Sequence, residues 1–186
     1  AAFELAKTGR PGPVVVDIPK DIQNWEGEFQ GSGSLPLTGY RNRLDAVMTN
    51  SLSEESAQNF YNLLNSSEKP LIYVGGGIIN ANASESLRQL STEYGIPIVT
   101  TLMALGASDT TKSLSLHMLG MHGLASANYA VEDCDFLIAI GARFDDRVAG
   151  DPEGFAPNAK KIAHFDIDIS EINKVKNVDW YHVGDL

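Results

Sequence analysis

The chain has 186 residues, is 43% hydrophobic and 20% charged, and carries a formal net charge of −10. This size suits one domain with part of another, and the acidic balance argues against a nucleic-acid binder, which needs a basic stripe to displace counterions from phosphates. A single cysteine, Cys134, excludes an internal disulfide and fits a reducing compartment, and no apolar run approaches the roughly 18 residues that span a bilayer.

The chain opens on Ala1–Lys7, the last turns of a helix, with neither an initiator methionine nor a signal-peptide layout. It closes on Val183-Gly184-Asp185-Leu186, a strand end running into a turn, so both ends read as cut and the chain is expected to be a piece of a longer protein. Gly9-Arg10-Pro11-Gly12-Pro13 forms a turn dense in helix breakers, and the β-branched Val14–Ile18 reads as a short strand ended by Pro19. Residues 24–50, with Gly31-Ser32-Gly33-Ser34, Pro36 and Gly39, show no sustained period and have linker composition.

A new rhythm starts near Leu52. Ser53 begins a helix whose Ala57, Phe60, Leu63 and Leu64 recur at helical spacing. Leu71–Val74 is a strand broken by Gly75-Gly76-Gly77. A second helix over Ser84–Tyr94 is stopped by Gly95, and Ile96–Thr100 is a strand followed by the loop from Thr101 to Gly106. A long irregular piece reaches Gly120-Met121-His122-Gly123, before a helix over Ala125–Val131. Phe136–Ile140, an apolar run without alternation, suits a strand buried on both faces. Lys161–Phe165 and Tyr181–Val183 complete the strands, with a short helix after Ser170. Strands separated by helical segments imply βαβ units with right-handed crossovers, hence an α/β fold with a Rossmann-like parallel sheet flanked by helices.

Each strand ends in a glycine or acidic cluster: Gly75–Gly77, Thr101–Met103, Gly141–Arg147, Asp166–Asp168 and Gly184-Asp185. In parallel strands these clusters share the carboxyl edge, where α/β sheets bind ligands. Gly75–Gly77 reads either as a tight strand-to-helix turn or as a place where backbone amides approach a phosphate, and it lacks the G-x-G-x-x-G and P-loop spacings. Asp166 suits the hydroxyls of a ribose. Arg143 and Arg147 suit phosphate oxygens, whereas Asp145 and Asp146 orient the arginines or meet other donors. The loop Gly141–Gly150 reads equally as a solvated run of ion pairs. His122 reads more readily as a hydrogen-bonder than a catalyst, and His117, His122, His164 and His182 form no metal-ligand pattern. No catalytic machinery is visible.

Taken together, Thr8–Asp21, Tyr73–Gly77, Gly95–Met103, His117–Gly123, Asn128–Ala130, Gly141–Gly150 and Phe165–Asp168 closely resemble the acetohydroxyacid synthase (acetolactate synthase) catalytic-subunit family. Met118–Gly123 and Gly141–Val148, in this order and spacing, are the most specific parts, and residues 24–50 lie outside the match. The resemblance implies that residues 1–23 are the tail of a thiamine-pyrimidine domain, 24–50 a linker, and 51–186 most of a central FAD-binding domain. It implies condensation of two pyruvates, or pyruvate and 2-oxobutyrate, to an acetohydroxy acid plus CO2 in branched-chain amino-acid biosynthesis.

Thiamine diphosphate and Mg2+ would be held by domains outside residues 1–186, as would the family's activating glutamate and metal motif, so the chain alone is expected not to catalyse. FAD, which does no net redox work in this family, is the implied ligand here. Its implied contacts are Arg10, Gly75, Gly76, Gly77, Thr101, Leu102, Met103, Gly120, Met121, His122 and Gly123. They continue with Gly141, Ala142, Arg143, Asp145, Arg147, Asp166, Ile167, Gly184 and Asp185. Met121, Asp146 and Arg147 resemble positions lining the substrate channel. A homodimer or homotetramer, a regulatory subunit, and a bacterial cytoplasm or a plastid are the implied setting. Two alternatives stay open: the central domain of another thiamine-diphosphate carboligase or oxidase, and a stand-alone nucleotide-binding module.

Overall fold

Pro70–Val74 (β1) and Phe136–Ile140 (β4) are apolar at nearly every position, so neither can turn a face to water. In the computed structural model, which describes residues 1–33 and 37–186, they are the two central strands of a sheet. The other strands are β2 (Ile98–Thr100), β3 (Ser115–Met118), β5 (Lys161–Asp166) and β6 (Trp180–Val183). The order is β3-β2-β1-β4-β5-β6 and every pairing is parallel. The chain therefore winds outward from β1 to β3, returns to the middle at β4 and winds out the other way.

The helices follow from local chemistry. In α4 (Glu54–Asn65) the Ser53 hydroxyl accepts from the Ser56 amide at 3.2 Å, capping the first turn. In α6 (Ser84–Tyr94) the helix stops at Gly95, whose φ of +67° only glycine adopts cheaply. Alternation along β1 sends Leu71 and Tyr73 to one face and Ile72 and Val74 to the other, giving two cores. One lies under α4 and α6, where Phe60 packs against Phe136, Phe165 and Trp180. The other lies under α7 (Ala125–Asp133) and holds Tyr73, Phe144 and Phe155. Cys134 is buried in this second core, where burial pushes its thiol up to about 12. Among the described residues no helix is long and apolar enough to cross a membrane.

Several expectations are corrected. Val14–Ile18 is not a strand: none of the six strands pairs with it, and Val15 and Val16 are exposed, since β-branched composition makes a strand only where a partner edge exists. The irregular piece before Gly120 contains β3, an edge strand too short to show alternation. Only β1→β2 and β3→β4 cross over through α-helix, by α5 (Gly77–Asn80) with α6 and by α7; Lys161 and Trp180 are reached through irregular chain and a 3₁₀ turn. Within residues 24–50, Thr38–Met48 is helix α3, after the short α1 (Ala2–Lys7) and α2 (Lys20–Gln23). None of α3 is buried and no side chain caps it, which is why its residues lack a clear apolar period. Ser34 and Pro36 of that stretch lie outside the described residues.

The first fifty residues are tied to the sheet by polar contacts. Arg41 of α3 holds Glu4 of α1 through two bonds of 2.9 and 3.0 Å. Arg10 reaches the turn after β5, where its Nη1 donates to Asp168 Oδ2 at 3.0 Å and to Glu171 Oε1 at 2.6 Å. Burial alone would raise the Glu171 carboxyl, but bonds from Arg10 and from Lys174 (2.9 Å) outweigh it and hold it below the ordinary carboxylate range.

Two predictions follow from these contacts. A Cβ at Gly75 would stand 2.2 Å from Gly141 O and 2.4 Å from Ala142 Cα, both main-chain atoms, whereas one at Gly12 meets nothing within 4 Å. In urea denaturation Gly75→Ala should cost about 3 kcal/mol and Gly12→Ala nearly nothing. Because the folded-state carboxyls of Glu171 and Asp168 are depressed, their stabilisation is present above the unfolded values near pH 4 and fades as pH falls below them. Arg10→Ala should therefore destabilise by about 1 kcal/mol at pH 7, solvent over Arg10 limiting the effect, and the gap to the native chain should narrow steadily as pH falls below about 4.

Candidate functional site: a cleft at the switch point of the sheet

The strand order reverses between β1 and β4, and the loops leaving them diverge there to opposite sides, opening a crevice at their carboxyl ends. The loops meet first at the main chain. Gly75 N donates to Ile140 O at 3.0 Å, Gly77 N to Gly141 O at 3.0 Å, and Gly141 N to Phe165 O at 2.8 Å. A Cβ on Gly77 would sit 2.6 Å from Gly141 Cα, and one on Gly141, at φ +55°, 2.7 Å from Gly77 Cα. No other residue type lets these turns approach so closely.

Above this floor is a cleft of about 700 Å³. It is lined by Gly75, Gly76, Gly77, Thr101, Leu102, Met103, Gly141, Ala142, Arg143, Asp145, Arg147, Asp166, Ile167, Gly184 and Asp185, and from the opening segment by Arg10. Sixteen of the twenty residues implied as cofactor contacts thus face one cavity, drawn from all of β1, β2, β4, β5 and β6. The other four, Gly120, Met121, His122 and Gly123, follow β3 and do not line it. They pack beside it: Asn128 clamps Gly120 through bonds of 2.8 and 3.1 Å, and Met121 N donates to Arg147 O at 3.0 Å, leaving Met121 and His122 exposed. Asp146 is also outside the lining, 4.0 Å from Arg147 Nε in a pair open to solvent.

The electrostatics of the cleft differ from those of the chain. Although acidic residues outnumber basic ones by 24 to 14 overall, the lining carries Lys7, Arg10, Arg143 and Arg147 against Asp145, Asp166 and Asp185. The ion-pair reading of Gly141–Gly150 is realised in part: Arg143 is paired with Asp145, and both residues line the cavity. A bond from the Arg147 amide at 3.0 Å, opposed by partial burial and joined by both arginines, holds the Asp145 carboxyl below its ordinary value. Asp166 is buried at the end of β5 and accepts from the Asp168 amide at 2.9 Å through Oδ1. Among the described residues no group of His, Cys, Asp and Glu is arranged to hold a metal ion.

Composition did not point to everything here. Leu44 and Met48 of α3 line the cleft, from a stretch with linker composition. Tyr73 and His164 lie buried beneath the floor. Tyr73 Oη donates to Arg143 O at 2.8 Å, and His164 Nε2 bonds Ala142 O at 2.9 Å. Both stand inside runs that read simply as strands, so only the register exposes their role.

A glycine floor without side chains, flanked by guanidinium groups and a strand-end carboxylate, has the donor set of a nucleotide cofactor site: amides and cations for phosphate, Asp166 for hydroxyls. Comparison with known proteins agrees with this architecture. The chain is 50% identical over 184 residues to the acetolactate synthase large subunit of Corynebacterium glutamicum, covering 99% of this chain and 28% of that protein. It is 47% identical to the chloroplastic acetolactate synthase of Arabidopsis thaliana (100% and 27%) and 43% identical to the acetolactate synthase isozyme 1 large subunit of Escherichia coli (94% and 29%). It thus spans less than a third of the length of these curated relatives. The family model described as the central domain of thiamine pyrophosphate enzymes matches residues 57–186, which cover the whole sheet and most of the cleft. The chain belongs to the thiamine pyrophosphate enzyme central-domain family.

Proposed function

We propose that this chain is the flavin-holding part of an acetolactate synthase, which condenses two pyruvates, or pyruvate and 2-oxobutyrate, to an acetohydroxy acid and CO2. The observation that carries the cofactor reading is the glycine floor at the switch point, with Arg10, Arg143, Arg147 and Asp166 around one cavity. Its size falls within the roughly 300–1,000 Å³ of clefts that enclose cofactors and ligands. The likeness to acetolactate synthases from bacteria and a plant, over nearly all of this chain and under a third of theirs, supports the reaction.

In this reading residues 1–23 end the preceding pyrimidine-binding domain, 24–50 connect, and 51–186 form the central domain. Thiamine diphosphate with Mg2+ supplies the carbon–carbon chemistry from elsewhere in the enzyme, and FAD is bound without net redox work. The residues of this chain do binding work. Gly75–Gly77 and Gly141 leave room for the cofactor backbone, Arg143 and Arg10 offset phosphate charge, and Asp166 Oδ2 accepts from ribose hydroxyls. In the same reading the exposed Met121, after β3, and Asp146 and Arg147, after β4, line the substrate channel. Gly120, His122 and Gly123 complete the cofactor contacts only if their loop is brought over the cleft in the assembled enzyme. No catalytic residue is assigned to this chain. The enzyme is proposed to be a homodimer or homotetramer with a regulatory partner, in a bacterial cytoplasm or a plastid.

The reaction is tested by supplying the full-length protein with pyruvate, thiamine diphosphate, Mg2+ and FAD. Acetolactate should accumulate, and pyruvate consumed to a different product would refute the assignment. The cofactor reading is tested separately by equilibrium titration. Asp166→Ala should weaken FAD binding about tenfold, the loss of one charge-assisted bond, while Asp146→Ala should change it less than about twofold. Equal effects of the two would count against the cleft as described.

A further inference from the structure

Beneath the cleft floor lie two buried polar side chains that touch no ligand surface. His164 is fully buried in β5, between Ala139 of β4 and Tyr181 of β6. Its Nε2 bonds Ala142 O at 2.9 Å, and because a carbonyl only accepts, Nε2 carries the proton. Its Nδ1 is buried without a hydrogen-bond partner among the described residues. An unpaired buried nitrogen carries a desolvation cost that an aliphatic side chain would avoid. The imidazole at this position is therefore not explained by packing alone: its one hydrogen bond goes to the cleft turn, with Asp166 Oδ2 3.7 Å from the same nitrogen. Tyr73, on β1, is also fully buried and donates to the next carbonyl, Arg143 O, at 2.8 Å. Burial pushes its phenol well above the ordinary range, so the donor proton is present at any physiological pH.

Two consecutive carbonyls are thus drawn into the core by two donors from different strands. Among the described residues no peptide bond is cis, and in a trans peptide the C=O and the following N–H point to opposite sides. Ala142 O facing inward turns the Arg143 amide outward, and Arg143 O facing inward turns the Phe144 amide outward. Ala142 and Arg143 line the cleft, whereas Phe144 is buried in the core. We infer that Tyr73 and His164 are positioning residues that hold the Ala142–Arg143 turn from both sides, so that the main-chain N–H of Arg143 is aimed at the anionic part of the bound dinucleotide. The inference rests on the cofactor reading above and assigns it a main-chain anion contact fixed from within the core. An amide fixed in this way is a favourable anion contact because its dipole is aimed without side-chain freedom to lose.

The test uses the full-length protein and three variants, Tyr73→Phe, His164→Leu and His164→Gln, whose amide can donate to the same carbonyl. Two quantities are read: FAD affinity by quenching of flavin fluorescence, and FAD-dependent slowing of amide hydrogen exchange at Arg143. In the native protein this amide should slow on adding FAD. Tyr73→Phe and His164→Leu should each bind FAD about tenfold more weakly and lose that slowing, while His164→Gln stays within about threefold of native. A merely structural histidine would lower the melting temperature without altering the FAD-dependent slowing, and Gln would give no rescue. If His164→Leu does not fold, Tyr73→Phe and His164→Gln decide the matter. Native FAD affinity in Tyr73→Phe, or no slowing in the native protein despite FAD binding, overturns the positioning role alone. A native protein that binds no FAD overturns the cofactor reading, and this inference with it.

Discussion

Main-chain contact between the turns after β1 and β4 sets the geometry on which the cleft depends. Gly77 and Gly141 each stand where the other's Cβ would have to be, and Gly75 presses on the carbonyl of Gly141 and the Cα of Ala142. Three hydrogen bonds lock the arrangement, running from Gly75 to β4, from Gly77 to Gly141 and from Gly141 to β5. Strand order makes these turns neighbours, and the missing side chains let them touch. A cavity floor made of backbone is rigid, and it offers amides where side chains would otherwise fill the space.

Around that floor the site is assembled from pieces far apart in the chain. Arg10 is held by Asp168 and Glu171 across about 160 residues of sequence, and α3 contributes Leu44 and Met48 from beyond the sheet. In this acidic chain the lining carries four cations against three carboxylates, so an anionic ligand does not meet the overall excess of acid there. Several of these cations are already paired: Arg10 with two acids and Arg143 with Asp145. Pairing orders long side chains before a ligand arrives, which lowers the entropy lost on binding.

The centre of the fold was legible in the sequence because both faces of β1 and β4 are buried. Phe136–Ile140 is a strand with the expected bounds, and Gly75–Gly77, Gly141 and Asp166 stand at strand ends as their spacing implied. Legibility failed where local composition and tertiary context disagree. Val14–Ile18 has strand composition but no edge to pair with, and α3 is a helix without a buried stripe. Tyr73 and His164 were hidden for a different reason. A polar residue within a strand looks the same whether it faces water or a carbonyl, and only the register places both under one turn. The motif Met118–Gly123 carries strong family likeness, yet its residues stand beside the cavity, so resemblance identified a neighbourhood and the geometry separated its two parts.

The central claim is that a dinucleotide lies across the carboxyl ends of the central strands at the switch point. A crystal structure of the full-length protein grown with FAD tests it most directly. The account predicts continuous cofactor density over Gly75–Gly77 and Gly141, with phosphate oxygens within hydrogen-bonding distance of the Arg143 amide and a ribose against Asp166. FAD bound elsewhere, with this cleft filled by protein side chains from another part of the chain, would contradict it.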